Sequence, residues 1–239
     1  MMIAGRPSGA ALRKYPIEVA ASRFAYVIAD DHPSATLAVS QLLSEVTGVD
    51  PSGFSTFTGS AELLGACAES PHERRLVVLD LVMPGPLKRT ALVQALLHAD
   101  PAARVLVYTA EESAFLAKAV IDAGATGYVA KTSPVMEFMN AIVAISHGRR
   151  YVDSRIDLES TKAHPWASLT EAERAVLLAF CHGEKAPEIV SRTGRSYSTV
   201  TTHKYNGLNK LGLRDGGDLL PYLYVNGLLY ELDGDPRRV

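Results

Sequence analysis

The chain has 239 residues, 47% of them apolar and 21% charged, which fits one large domain or two small ones and excludes disorder over most of its length. No stretch reaches the ~18 uninterrupted apolar residues of a membrane-spanning helix. Residues 1–22 lack the ~7–15-residue apolar block of a signal peptide; they read as an N-terminal extension, either disordered or an overlong start. Cys67 and Cys181 show no metal-type spacing and read as buried thiols. The expectation is a soluble, cytoplasmic protein. The formal net charge of −2 hides an asymmetry, because residues 23–150 carry a net −3 and residues 185–214 a net +5. Such a basic island is the footprint of a phosphate-binding surface.

From residue 24 short β-rich runs alternate with helical periodicities. The runs at 24–29, 53–57, 76–79, 104–108 and 127–130 read as strands, and those at 34–46, 61–68, 88–98, 113–123 and 135–147 as helices. In the last helix Met136, Met139, Ile142, Val143 and Ile145 are placed against a core. Five strand–helix repeats predict an α/β, doubly wound (βα)5 domain with a parallel five-stranded sheet, assigned to 23–150. Residues 151–165 are polar and read as a linker. Residues 166–239 then read as a small all-α domain. Thr170 and Glu173 form a capping box for its first helix, and Pro187 sits in the first turn of a second, about 186–193. Gly194 and Arg195 make a tight turn, and Ser196 caps a third helix reaching about residue 211. Asp218 is read as capping a fourth, with Leu220, Leu223 and Tyr224 as its apolar stripe. A short helix, a turn and a longer helix form the helix-turn-helix outline.

Polar residues punctuate the strand ends: Asp30 and Asp31 after the first, Asp80 after the third, Thr109 after the fourth and Lys131 after the fifth. Ligands of open parallel sheets bind outside the carboxyl ends of the strands, so these groups should converge on one crevice. Packed carboxylates repel unless a cation sits among them. Oxygen donors of this kind suit Mg²⁺. A carboxylate can also attack phosphorus, giving an aspartyl-phosphate.

In Ala29-Asp30-Asp31-His32-Pro33, Leu79-Asp80-Leu81-Val82-Met83-Pro84, Tyr108-Thr109-Ala110 and Gly124-Ala125-Thr126-Gly127-Tyr128-Val129-Ala130-Lys131, residues 24–150 resemble a bacterial response-regulator receiver domain. The resemblance implies Asp80 as phosphoacceptor and Mg²⁺ ligand. It implies Asp30 and Asp31 at the metal with the Val82 backbone carbonyl, Thr109 and Lys131 on the phosphoryl group, and Tyr128 as an aromatic switch. Lys131 departs from the common pattern in being followed by Thr132 where many receivers have proline.

Residues 166–230 resemble the DNA-binding domain of the NarL/FixJ (LuxR-type) regulators, through Leu169-Thr170-Glu171-Ala172-Glu173, Glu188-Ile189, Ser196, Thr199-Val200, His203 and Lys210-Leu211-Gly212-Leu213. Residues 206–223 are similar to RcsB-like members. Polar side chains at the start of a recognition helix can reach base edges and phosphates in the major groove. By position in the family, Thr201, Thr202 and Tyr205 are expected to read bases. Thr199, Lys204 and Lys210 are expected on the backbone, with His203 beside them. Val200 and Leu208 should anchor the helix to its core. Four positions depart from the family: Lys185 replaces a small hydroxyl cap, Val190 stands where alanine is usual, Thr193 where leucine is usual, and Gly207 where a larger apolar residue is common.

The resemblance implies a two-domain transcriptional regulator, not an enzyme: a histidine kinase phosphorylates Asp80 with Mg²⁺, the chain forms a homodimer, and the dimer binds double-stranded promoter DNA. Pairing is expected through receiver helices 34–46 and 135–147 and the last DNA-binding helix. The alternative from the same residues is a transcription factor controlled by protein partners without phosphorylation. An aspartyl-phosphate hydrolase is disfavoured, because no cap domain or second acid–base aspartate is visible.

Overall fold

The computed structural model describes residues 24–70 and 74–233; the extension read at 1–22 lies outside them. Its first part is a parallel sheet in the order β2-β1-β3-β4-β5-β6. The strands are β1 Ala25–Ala29, β2 Ser55–Phe57, β3 Arg75–Leu79, β4 Arg104–Thr109, β5 Gly127–Ala130 and β6 Tyr151–Val152. Five helices fill the crossovers: α1 Pro33–Thr47, α2 Ser60–Glu69, α3 Arg89–Ala99, α4 Ala114–Asp122 and α5 Val135–Ser146. The period-two alternation of strand side chains divides the core in two. Val27, Val77, Leu79, Val105 and Val107 pack with α2, α3 and α4 on one face. Tyr26, Ile28, Leu76, Val78 and Leu106 pack with α1 and α5 on the other. All five residues of β3 are buried, as a strand covered on both faces requires.

The doubly wound expectation therefore holds, with a sixth strand beyond the five expected. β6 pairs with β5, Gly127 opposite Tyr151 and Tyr128 opposite Val152, so the stretch read as linker from 151 begins inside the sheet. Asp153 fixes the exit: its carboxylate is buried and accepts the Ala130 amide at 3.1 Å and the Arg155 amide at 3.0 Å. Glu137 of α5 adds bonds from the Tyr151 hydroxyl and from Ser154. A two-residue strand has no periodicity to read.

The stripe that α5 buries is Phe138, Ala141, Ile142 and Ile145, the i, i+3, i+4, i+7 face. Met136, Met139 and Val143, expected in the core, lie outside that stripe: Met136 is exposed and the other two are half-buried.

The second part is helical: α6 Glu171–Cys181, α7 Ala186–Thr193, α8 Tyr197–Leu211 and α9 Leu219–Val225. The capping box is present, with the Thr170 hydroxyl accepting the Glu173 amide at 3.2 Å and Glu173 accepting the Thr170 amide at 2.8 Å. Ser196 caps α8 by accepting the Thr199 amide at 3.1 Å. α7 has no hydroxyl cap; Glu188 reaches back instead and accepts the Lys185 amide at 2.7 Å. Asp218 makes no side-chain cap, and its own backbone is already helical. A 3-10 turn, Gly216–Asp218, precedes α9, and Asp215 caps that turn. α9 buries Leu219 and Leu223, one turn apart, while Leu220 and Tyr224 face outward.

Val200 and Leu208 anchor α8 as expected. Gly207 has a packing reason: a Cβ there would lie 2.8 Å from Cδ1 and 3.2 Å from Cγ of the buried Leu177. The α6–α8 crossing is too close for a side chain at that position.

Candidate phosphoacceptor site and recognition helix

The order of strands reverses between β1 and β3, and this is where open α/β sheets form their crevice. Asp30 follows β1 and Asp80 follows β3, both buried, and the Asp80 amide donates to the Ala29 carbonyl at 2.8 Å. Lys131, past β5, closes the site. Its Nζ lies 2.6 Å from Asp30 Oδ2 and 2.7 Å from Asp80 Oδ2. Burial alone would push this ammonium down, but its bonds to Asp30 and Asp80 hold it above the ordinary lysine value. Asp30 also accepts the His32 amide at 2.9 Å, and His32 Nδ1 stands 2.8 Å from Asp31.

Asp30, Asp31, His32 and Asp80 each offer a ligand atom, all within 4.8 Å of one another. Three clustered carboxylates, only two of them paired with the Lys131 ammonium, make a site that demands positive charge, which is the electrostatic requirement for a divalent cation. Thr109, at the end of β4, is buried. Val82 is exposed at the rim, with its amide 3.4 Å from Asp80 Oδ1. Tyr128 is fully buried on β5, and its hydroxyl donates to the Glu111 carbonyl at 2.6 Å. Burial, and then the Glu111 carboxylate, raise its hydroxyl well above the usual tyrosine range.

These residues form one constellation, and comparison with known proteins gives it a family. Residues 26–143 match the response regulator receiver domain. That part of the chain belongs to the response-regulator receiver family. The regulator is 29% identical over 193 residues to the probable transcriptional regulatory protein SgaR of Hyphomicrobium methylovorum, covering 81% of this chain and 89% of that one. It is 26% identical to the transcriptional regulatory protein RcsB of Escherichia coli, covering 82% of this chain and 92% of that one. A solved structure of two RcsB dimers bound to two parallel DNAs superposes with a TM-score of 0.60 at 25% identity, covering 83% of this chain and 97% of that one. Both halves of the regulator therefore have counterparts in one protein, in the same order.

The other expected site residues lie on α8. Thr202 and Tyr205 are exposed, and Thr201 and His203 are half-buried. Thr199 Oγ1 lies 2.8 Å from the Ser196 hydroxyl, inside the cap. The two lysines expected on DNA phosphates are engaged elsewhere. Lys210 Nζ bonds Glu173 at 2.7 Å and the Ser168 carbonyl at 3.1 Å. Burial alone would raise the Glu173 carboxyl, but Lys210 and the Thr170 amide hold it below the ordinary range. Lys204 Nζ lies over the Phe180 ring, 4.4 Å from its centre, a cation–π contact. Arg195 and Tyr197, at the α7–α8 turn, and Lys185, at the start of α7, are exposed and were not singled out as contacts from the sequence. Their position beside the helix start was a signal; their solvent-facing side was not readable.

Proposed function

We propose that the regulator is phosphorylated on Asp80 by a histidine kinase, pairs as a homodimer and binds double-stranded promoter DNA through α8. The single observation carrying this reading is the Lys131 ammonium held between Asp30 and Asp80 at the switch point of the sheet. In the transfer an Asp80 oxygen attacks phosphorus, the acyl-phosphate bond forms, and the donor's bond to phosphorus breaks with its electron pair leaving on the donor. Lys131 moves from balancing two carboxylates to meeting the incoming phosphoryl oxygens, and the Thr109 hydroxyl donates to another. Asp30, Asp31, Asp80 and the Val82 carbonyl are the groups proposed to hold Mg²⁺. When bound, that ion supplies neutralisation of the phosphoryl charge. Tyr128 is proposed as the switch reporting the state of the pocket through Glu111.

The receiver is assigned to 23–150, with β6 completing its sheet, and the DNA-binding domain to 166–239. In the DNA-binding role Thr201, Thr202 and Tyr205 face base edges, with His203 and Thr199 beside them. Lys185 and Arg195, whose side chains are exposed, are better placed than Lys204 and Lys210 to meet phosphates. The RcsB dimers on DNA support this reading. Receiver pairing is assigned to α1 and α5, which lie in one layer and expose Leu37, Val135 and Met136; exposed Tyr224 and Val225 suit α9 for pairing of the DNA-binding domains. No described helix is long and apolar enough to cross a membrane, and the cytoplasm is the proposed compartment.

Acetyl phosphate with Mg²⁺ tests the central claim. The wild-type chain should take up one phosphoryl group, and Asp80→Asn none. Equal labelling of the two would overturn the assignment. Sedimentation with and without beryllofluoride tests pairing, and an unchanged monomer in both conditions would overturn it.

A further inference from the structure

The segment between β4 and α4 has one end in the phosphoacceptor crevice and the other on the DNA-binding half. Thr109, at its start on the carboxyl end of β4, is buried and accepts the Glu111 amide at a slack 3.4 Å. The Tyr128 hydroxyl holds the Glu111 carbonyl at 2.6 Å. Beyond that point the segment is tied across the molecule. The Glu111 carboxylate takes Arg89 through Nε at 2.9 Å and Nη2 at 2.6 Å, and Arg89 Nη1 reaches both Asp233 oxygens at 2.6 and 2.8 Å. The Ser113 hydroxyl donates to the Gly227 carbonyl at 2.6 Å. Phe115 of α4 packs into the helical core, and Tyr230 packs against both cores.

Arg89 itself is unusual. With φ at +48° it is the one non-glycine of positive φ among the described residues, a conformation that side-chain-bearing residues adopt reluctantly. Its amide donates to the Leu81 carbonyl at 3.1 Å, directly after Asp80. The guanidinium therefore leaves the phosphoacceptor loop in a disfavoured conformation and bridges Glu111 to the C-terminal segment. The recognition helix takes no part in this contact, and Thr202, Tyr205, Asn206 and Asn209 stay exposed.

We propose that Arg89, Glu111 and Asp233 form a latch through which docking of the DNA-binding half and occupancy of the Asp80 pocket reinforce each other. The proposal rests on the reading of Asp80 as phosphoacceptor. The sign follows from sharing one segment. A phosphoryl group gives Thr109 an anion to donate to, which fixes residues 109–111 from the pocket side. The Arg89–Asp233 pair and Ser113 fix the same residues from the other side. Whichever event comes first orders the segment that the second requires, so the second costs less. Coupling of this kind is reciprocal: loosening the latch at Asp233 weakens ligand binding at Asp80, although Asp233 does not touch the pocket. The contact positions the DNA-binding half and does not cover its DNA-reading face.

Beryllofluoride binding in the presence of Mg²⁺, followed by fluorine NMR on the full chain, measures one side of the coupling. The single tryptophan measures the other: Trp166 is buried at the seam, with Nε1 3.0 Å from Glu231 Oε1. Asp233→Asn should weaken beryllofluoride binding about fivefold, within the usual range of such couplings. It should also shift Trp166 emission to the red, and saturating beryllofluoride should reverse that shift. Asp233→Glu, which keeps the charge, should stay within about twofold of wild type on the same scale. Arg89→Gly, which relieves the backbone while removing the latch, should weaken binding as Asp233→Asn does. Unchanged or tighter binding in both Asp233→Asn and Arg89→Gly overturns the latch while leaving Asp80 as acceptor. A wild-type chain that binds no beryllofluoride brings down the phosphoacceptor reading itself.

Discussion

In the acidic crevice the buried charges are held from different strand ends: Lys131 from β5 spans Asp30 from β1 and Asp80 from β3. On α8 the polar side chains divide, with Thr202 and Tyr205 facing solvent while Lys204 and Lys210 turn back on Phe180 and Glu173. The difference comes from what fixes direction. A residue just past a parallel strand can point to little but the crevice, because both faces of the sheet are covered. A residue on a surface helix has a long side chain and a choice of partners, and a lysine stem readily lies along apolar surface. Residue type plus position therefore defines the pocket's chemistry, whereas on the helix it defines only a set of candidates.

The comparison breaks most visibly where one crevice group is removed. Lys131→Met leaves Asp30 and Asp80 buried without their cation, and unpairing a buried charge costs ~3–5 kcal/mol. Urea unfolding in chelator should show a loss near the lower end, since Lys131 keeps some exposure. Mg²⁺ should restore more stability to this variant than to wild type; an equal Mg²⁺ effect would mean the three carboxylates do not share one cation. On α8 the reverse is expected. Thr201→Ala and Tyr205→Ala should leave stability within ~0.5 kcal/mol while losing ~1–3 kcal/mol of discrimination between specific and random duplexes.

Much of the crevice was legible because the motifs fall at strand ends, and strand ends are visible as short apolar runs. Asp30, Asp31, Asp80 and Lys131 come together there, and Thr109 is buried at the end of the neighbouring strand β4. β6 was not legible, because two residues carry no periodicity and what fixes them, pairing with β5 and Asp153 accepting the Ala130 amide, comes from another strand. The phase of α5 was misread at Met136, Met139 and Val143 since several overlapping stripes of that helix are apolar. Arg89 and Asp233 are 144 positions apart, and no local pattern joins residues that meet only when two halves of a chain dock. Gly207 looked like a weak point by helix propensity and proved to be a contact surface for Leu177.

Lys210 sharpens the helix side of the comparison. Lys210→Met removes the cation from a nearly buried Glu173, and because the lysine is itself partly exposed the loss should be about 1–2 kcal/mol, below the range for a fully buried pair. The Glu173 carboxyl is held below its ordinary value, so the stability it supplies is present at neutral pH. That stability fades as pH falls through the depressed value, where the folded form takes up the proton. Wild type should lose this increment on acidification, and Lys210→Met should lose less. Parallel acid dependences of the two would show that the ion pair does not hold Glu173 down. Gly207→Ala should cost about 1 kcal/mol: overpacking against Leu177 (~1–3 kcal/mol) exceeds the helix propensity gained (~1 kcal/mol). A stabilised Gly207→Ala would mean that Leu177 moves aside freely.

The smallest effect expected is also the one that separates phosphate contacts from structural lysines. A side chain that neutralises one phosphate contributes about 0.9 to the slope of log affinity against log salt. Lys204 already spends its ammonium on Phe180, beside Gly216, whose added Cβ would lie 3.7 Å from that nitrogen. Releasing it to a phosphate would give up the cation–π contact, worth ~0.5–1 kcal/mol at an exposed site. Arg195 is exposed in the turn that opens α8 and makes no cation–π contact among the described residues. Arg195→Ala should therefore flatten the salt slope by nearly the full ~0.9 unit on specific and random duplexes alike, and Lys204→Ala by less than about half of that. Binding isotherms at four salt concentrations decide it. A full-unit change for Lys204→Ala would mean that DNA draws the ammonium off Phe180, and that its inward contact is only a resting place.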